Sequence, residues 1–85
     1  MPRLILAAER LVLARNLIQK AREVPLPAEG GKHDFSYIAQ VKDLLRQARD
    51  LVKFIPQSAG ASVDTKKDAT RILQEADQAD KEILH

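Results

Sequence analysis

An 85-residue chain has room for one domain, and this one carries 14 Lys and Arg against 12 Asp and Glu, a formal net charge of +2. Its 45% apolar and 31% charged residues are typical of a globular helical domain and exclude collagen-like, low-complexity and highly charged disordered classes. The lack of cysteine excludes disulfides, thiolate nucleophiles and cysteine-ligated zinc. A chain without cysteine is compatible with reducing and oxidising compartments alike. An intracellular, cytoplasmic location is the default expectation.

Two breaks rich in proline and glycine divide the chain into three segments of helical character. The first break runs from Pro25 to Asp34, and the second from Pro56 to Ala61. The predicted helices are 3–24, 35–55 and 62–84. Ser62 and Asp64 are the predicted capping residues of the third helix, and Asp34 or Ser36 is that of the second.

Each segment repeats apolar residues at steps of three and four, which places them along one helix face in a heptad-like, coiled-coil pattern. The face residues are Leu4, Ala7, Leu11, Ala14, Ile18 and Ala21; then Ile38, Val41, Leu45, Ala48, Val52 and Ile55; then Ala69, Ile72, Ala76, Ala79 and Ile83. No stretch alternates with a period of two for long enough to predict a strand.

These features predict an all-α fold with a single domain over residues 1–85. Three amphipathic helices with short links pack most simply as an antiparallel, up-down-up three-helix bundle, in which helices 2 and 3 are antiparallel neighbours. The alternative is a helical hairpin that completes a larger bundle by oligomerisation. The longest apolar run is too short to span a bilayer, and Glu9 and Arg10 interrupt it, which disfavours a signal peptide.

Helix 1 carries more apolar surface than a three-helix bundle can cover. Its face is flanked on one side by Ile5 and Val12 and on the other by Leu6, Leu13, Leu17 and Val24, so that apolar positions occupy roughly 260° of the helix. The excess predicts a hydrophobic surface for a partner helix or for a second copy of the chain. The alternative is that the first break, with Leu26 and Phe35, folds over this surface.

The face of helix 3 consists mainly of alanine, which lets a neighbouring helix approach closely but buries little area. A groove beside Ile72 and Leu73 is therefore a second possible docking surface for an amphipathic helix. The alternative is close packing of helix 3 within the bundle.

Helix 2 carries a basic stripe of four residues, Lys42, Arg46, Arg49 and Lys53, and helix 3 carries acidic residues along one side. The stripe is either the charged rim of a docking surface for an acidic peptide or anionic lipid, or a solvated face with interhelical ion pairs. The stripe has no interleaved aromatic residues for base stacking, and the acidic helix 3 repels phosphate, which disfavours nucleic acid.

Nothing in the sequence forms a catalytic constellation. His33 lies in the first break and His85 is the last residue, and neither has partners at a spacing that suits a metal. Gly30, Gly31 and Lys32 lack the spacing of a phosphate-binding loop. We therefore expect no enzyme activity, no cofactor, no metal and no small-molecule substrate.

The sequence predicts a non-catalytic docking or adaptor module, which binds a partner helix or self-associates through the apolar surface of helix 1. The alternative is peripheral binding to an anionic membrane, in which Arg3, Arg10, Arg15, Lys20 and Arg22 of helix 1 reach lipid headgroups.

Overall fold

Three α-helices form the fold in the computed structural model, which describes residues 6–85: α1 is Ala7–Glu23, α2 is Phe35–Val52 and α3 is Val63–Leu84. Short 3-10 helices, Gly31–His33 and Ile55–Gln57, lie in the two connections. All three α-helices pack against one another, with the largest contact between α1 and α2. The described part of the chain has no strand, and the predicted all-α three-helix bundle is confirmed.

Contacts between side chains show the directions of the helices. On α1 and α3, Arg15 lies 3.9 Å from Glu75 (Nε to Oε2), and seven residues further along both helices Arg22 pairs with Glu82. Because both pairs advance in the same order, α1 and α3 are parallel. The α2 helix runs in the opposite direction between them, so the topology is up-down-up.

The core lies where the apolar faces of the three helices meet. Its fourteen buried residues are Leu11, Ala14, Ile18, Ala21, Tyr37, Val41, Leu45, Ala48, Val52, Ile55, Ala69, Ile72, Ala76 and Ala79. They follow the predicted steps of three and four on every helix. Six of the fourteen are alanine, so the helices approach closely and the core buries little apolar area for its length.

Two helix ends differ from their predicted positions. The first helix begins at Ala7 because Leu6 is extended, with φ −68° and ψ 152°. Residues 1–5, which include the predicted surface residue Ile5, lie outside the described residues. The second helix ends at Val52 and does not continue to Ile55, because the Pro56 ring has no N–H and clashes with the carbonyl four residues earlier.

Side-chain caps hold the starts of α2 and α3. The Tyr37 amide donates a hydrogen bond to Oδ1 of Asp34 (2.9 Å), and the Thr65 amide donates to Oγ of Ser62 (3.1 Å). The predicted cap at Ser62 is confirmed, and of the two candidates for α2 the structure selects Asp34. These bonds satisfy amides that the helix itself leaves without acceptors.

Asp34→Ala is expected to lower the free energy of unfolding by about 1 kcal/mol, because the Tyr37 amide loses its acceptor. Ser36→Ala is the matched control; Ser36 is exposed and does not cap α2, so its removal should change stability by less than about 0.5 kcal/mol. Thermal unfolding followed by circular dichroism measures both variants. Equal losses from the two would contradict the assignment of the cap.

Candidate functional site

Exposed apolar side chains gather along the contact between α1 and α2. Three adjoining hollows there share Leu51 of α2, and together they form one open groove, the α1–α2 groove. Its apolar lining includes Leu13 and Leu17 of α1, and Leu51 with Phe54, which follows α2. Phe54 is 68% exposed, and Leu13 is 42% exposed. Large apolar side chains that remain in water along one groove indicate a binding surface.

The structure brings part of the predicted helix 1 surface into this groove. Leu13 and Leu17 line it together, and Leu6, 61% exposed, lies seven residues before Leu13 on the same side of the chain. Val12 is 60% exposed but lines none of the three hollows, because it points about 100° away from Leu13. Of the residues predicted to form the helix 1 surface, Leu6, Leu13 and Leu17 therefore lie on the groove side of α1. Val12 lies apart from them, and Ile5 is outside the described residues.

The first connection does not cover the groove. Leu26 is 63% exposed and Phe35 is 87% exposed, so neither side chain packs over the apolar flank of α1. The expectation that this connection folds over helix 1 is therefore wrong for these two residues.

The sequence predicted a second docking surface on helix 3 beside Ile72, but Ile72 does not lie at the surface. Its side chain has no exposed area and belongs to the core, so it is unable to contact a partner in this fold. Leu73 is half-buried and packs against the same core. The spacing of apolar residues by three and four, which placed Ile72 on the apolar face of helix 3, predicted its position correctly.

Two of the four residues of the basic stripe pair with acidic residues on α2 itself. Arg46 contacts Asp43 at 2.6 Å and Asp50 at 3.3 Å, and Lys53 contacts Asp50 at 3.1 Å. Hydrogen bonds from Arg46 and then from Gln47 lower the pKa of the Asp43 carboxyl below its ordinary value. The stripe is therefore partly neutralised on its own helix.

The other two residues of the stripe differ in their contacts. Arg49 reaches across to Asp77 of α3 at 2.8 Å, an interhelical pair of the kind that the solvated-face interpretation predicted. Lys42 is exposed and forms no ion pair within residues 6–85. None of the four lines the α1–α2 groove, so the stripe is not the charged rim of that groove.

The groove has a different charged rim, which the sequence interpretation did not identify. Arg10 and Lys20 lie along its α1 side, and Asp50 lies along its α2 side. Asp43, seven residues before Asp50, shares the same side of α2. Nη1 of Arg10 donates to the carbonyl oxygen of Leu51 at 3.4 Å, whereas Lys20 forms no ion pair within the described chain. Glu23 also lines the groove on its α1 side, so the charged rim carries both signs of charge.

Leu51 and Phe54 were also missed as surface residues, for different reasons. Leu51 lies at the edge of the apolar arc of α2, where the pattern alone does not separate core from groove. Phe54 is exposed because α2 ends at Val52 and the chain turns into the 3-10 helix. The signal that could have located Phe54 is Pro56, because its ring clashes with the carbonyl of Val52 and so ends α2 before Phe54.

A second hollow lies on the outer face of α3. It is lined by Pro56, Val63, Lys66, Lys67, Thr70, Arg71 and Gln74. Its apolar content is small, since Val63 is the only large exposed apolar residue among the lining residues. We regard it as a solvated basic face.

The described residues contain no cluster of side chains suited to a metal ion. Within residues 6–85 no group of three His, Asp or Glu side chains is placed to hold a metal ion. Nε2 of His85 lies 3.4 Å from Oδ1 of Asp80, and His33 is exposed in the first connection. None of the described helices combines the length and hydropathy needed to cross a bilayer.

Comparison of the chain with protein-family models, with curated proteins and with solved structures gave no match. The α1–α2 groove, built from Leu13, Leu17, Leu51 and Phe54, is therefore the candidate functional site on its own physical evidence.

Proposed function

We propose that this chain is a non-catalytic protein-interaction module that binds an amphipathic helix of another chain in the α1–α2 groove. The observation that carries the proposal is the gathering of exposed Leu13 and Phe54 with half-buried Leu17 and Leu51 in one groove. A groove between two helices accepts the apolar face of a third, in the way that helix-in-groove complexes do.

The charges of the groove describe the helix that fits it. Its apolar stripe faces the leucines, its acidic residues face Arg10 and Lys20, and its basic residues face Glu23 and Asp50. A helix that carries only one sign of charge is disfavoured, because the rim of the groove carries both.

The dimensions of the groove suit a helix of ordinary length. The 17 residues of α1 are about 25 Å long at about 1.5 Å per residue, so the groove offers four to five turns of contact. Burial of apolar surface at about 25 cal/mol per Å² then drives association. The charged rims contribute orientation and rate of encounter more than affinity.

Peripheral binding to an anionic membrane has less support. Of the five basic residues invoked for it, Arg10 donates to a backbone carbonyl, and Arg15 and Arg22 pair with Glu75 and Glu82. Three of the five are thereby turned toward the bundle, and Arg3 lies outside the described residues.

Leu13→Asp is expected to weaken binding of a synthetic helical peptide by about tenfold or more, because it puts a charge into the apolar contact. The probe is a peptide of about 18 residues with leucines at steps of three and four, glutamates on one flank and lysines on the other. Amide chemical shifts of the labelled protein should change around Leu17, Leu51 and Phe54.

Val12→Asp is the matched control, since Val12 is the neighbouring exposed apolar residue of α1 and lies off the groove. It should leave peptide affinity within about twofold of that of the unmodified chain. The proposal fails if the two variants bind alike, or if the peptide perturbs the outer face of α3 instead.

A further inference from the structure

We propose that residues 24–27 of the first connection, Val-Pro-Leu-Pro, are a second docking element of this chain. They form a single turn of polyproline II helix, and the partner is a domain that binds such a turn in an aromatic-lined groove with basic residues beside it. The proposal does not rest on the α1–α2 groove, because none of these four residues lines the hollows of that groove.

Two prolines restrict the backbone of this segment. The ring of each proline fixes its own φ at about −65° and excludes the residue before it from α-helical geometry. Because Pro25 and Pro27 alternate with Val24 and Leu26, each residue is either a proline or is held extended by the proline that follows it. Val24 has φ −60° and ψ 123°, close to the polyproline II values of about −75° and +145°. The segment is therefore pre-formed before a partner binds.

The bundle holds the segment by one edge and leaves the other two in water. A polyproline II helix has three residues per turn, so residues three apart share an edge. Val24 and Pro27 share one edge and are half-buried, and Val24 packs against the core. Pro25 and Leu26 occupy the other two edges, and both are exposed. An apolar ridge is thus presented to solvent on a segment that the bundle anchors.

The backbone of the segment also keeps free hydrogen-bond acceptors. The carbonyl oxygens of Val24, Pro25 and Leu26 accept no hydrogen bond from the described part of the chain. Tyr and Trp side chains offer an apolar ring and a hydrogen-bond donor together. An aromatic-lined groove therefore complements both the apolar ridge and the carbonyls beside it, as in the recognition of proline-rich segments.

Carboxylates flank the segment at both ends. Glu23 precedes it at the end of α1, Glu29 follows it, and both are exposed. Glu23 accepts a hydrogen bond from the neutral Gln19 amide (Nε2 to Oε1, 3.0 Å), and neither carboxylate forms an ion pair within residues 6–85. Charge complementarity thus favours a groove with basic residues at its ends and disfavours an acidic one.

Exposure and an extended backbone alone do not make such an element, as Leu6 shows. Leu6 is 61% exposed and extended, but its carbonyl accepts a hydrogen bond from the Arg10 amide at 3.0 Å, and no proline adjoins it. Leu26 lies between two prolines and has a free carbonyl. A pre-formed ligand loses little conformational entropy on binding, so Leu26 is better suited to recognition than Leu6.

The experiment is an NMR titration of the isotopically labelled chain with two probes. One is an EVH1 domain chosen for basic residues beside its aromatic groove, and the other is an SH3 domain chosen for acidic residues there. The EVH1 domain should shift the amide signals of Leu26, Ala28 and Glu29, while those of Leu17 and Leu51 stay in place. The SH3 domain should bind about fivefold more weakly or worse, because its rim repels the flanking carboxylates.

Leu26→Ala should weaken binding of the EVH1 domain about fivefold or more, because it removes the largest exposed side chain of the segment. Leu6→Ala is the matched control, an equally exposed leucine at the other end of α1, and should leave the affinity within about twofold. Pro27→Ala keeps Pro25 and Leu26 in place but frees the backbone of Leu26, and should weaken binding about two- to fivefold.

Circular dichroism of each variant checks that the helices persist. The proposal is overturned if the EVH1 domain shifts no amide of the segment, if Leu26→Ala and Leu6→Ala bind alike, or if the two domains bind equally well. Shifts at Leu17 and Leu51 without a shift at Leu26 would also overturn it, since the domain would then occupy the α1–α2 groove. The synthetic helical peptide is observed at Leu17, Leu51 and Phe54, so this proposal and the proposed function fail independently.

Discussion

Ile72→Ala is expected to lower the free energy of unfolding by about 3 kcal/mol, which corresponds to a fall of roughly 15 °C in Tm. Ile72 is fully buried and is among the largest side chains of the core, so its truncation leaves a cavity. Domains of this size are stable by only about 4–13 kcal/mol, so the loss is a large share of the total. Urea denaturation followed by circular dichroism measures it.

Leu73→Ala is the matched control for this prediction. Leu73 is the next residue on the same helix but is only partly buried, so its truncation should cost about 1 kcal/mol or less. A larger loss at Leu73 than at Ile72 would mean that α3 is rotated about its axis relative to the structure described here.

Ala76→Leu is expected to lower the free energy of unfolding by about 1–3 kcal/mol through overpacking. Ala76 has no exposed surface, and it lies on α3 between Glu75 and Glu82, the two residues that pair with α1. A larger side chain at this position forces the helices apart and disturbs the interhelical ion pairs.

Ala39→Leu is the matched control, because Ala39 is an exposed alanine within α2. The same substitution there should change stability by less than about 0.5 kcal/mol, since leucine and alanine have similar helix propensities. If Ala76→Leu proves as stable as Ala39→Leu, the alanine positions of the core are not close-packed.

Much of the fold follows from the spacing of apolar residues. Steps of three and four placed Leu45, Val52 and Ile72 in the core, and all three are fully buried. The spacing of apolar residues predicts the core correctly because a helix with one apolar stripe can be buried in only one orientation about its axis. The caps at Asp34 and Ser62 follow from local chemistry, since each oxygen accepts from the amide three residues later.

The groove was harder to predict, because it depends on how two helices meet. The sequence indicated Leu13 and Leu17, yet it did not show that Leu51 lies opposite them. The basic stripe was conspicuous on helix 2, but Arg49 is directed to Asp77 of α3. Long charged side chains choose partners from neighbouring helices, and the sequence of one helix does not contain that information.

The odd number of helices gives the bundle a polarity along its length. Since α1 and α3 are parallel, the start of α1 and the end of α3 lie at opposite ends of the bundle, separated by about 33 Å, the length of the 22 residues of α3 at 1.5 Å each. A polypeptide segment attached at Leu6 and another attached at His85 would therefore leave the bundle at opposite ends.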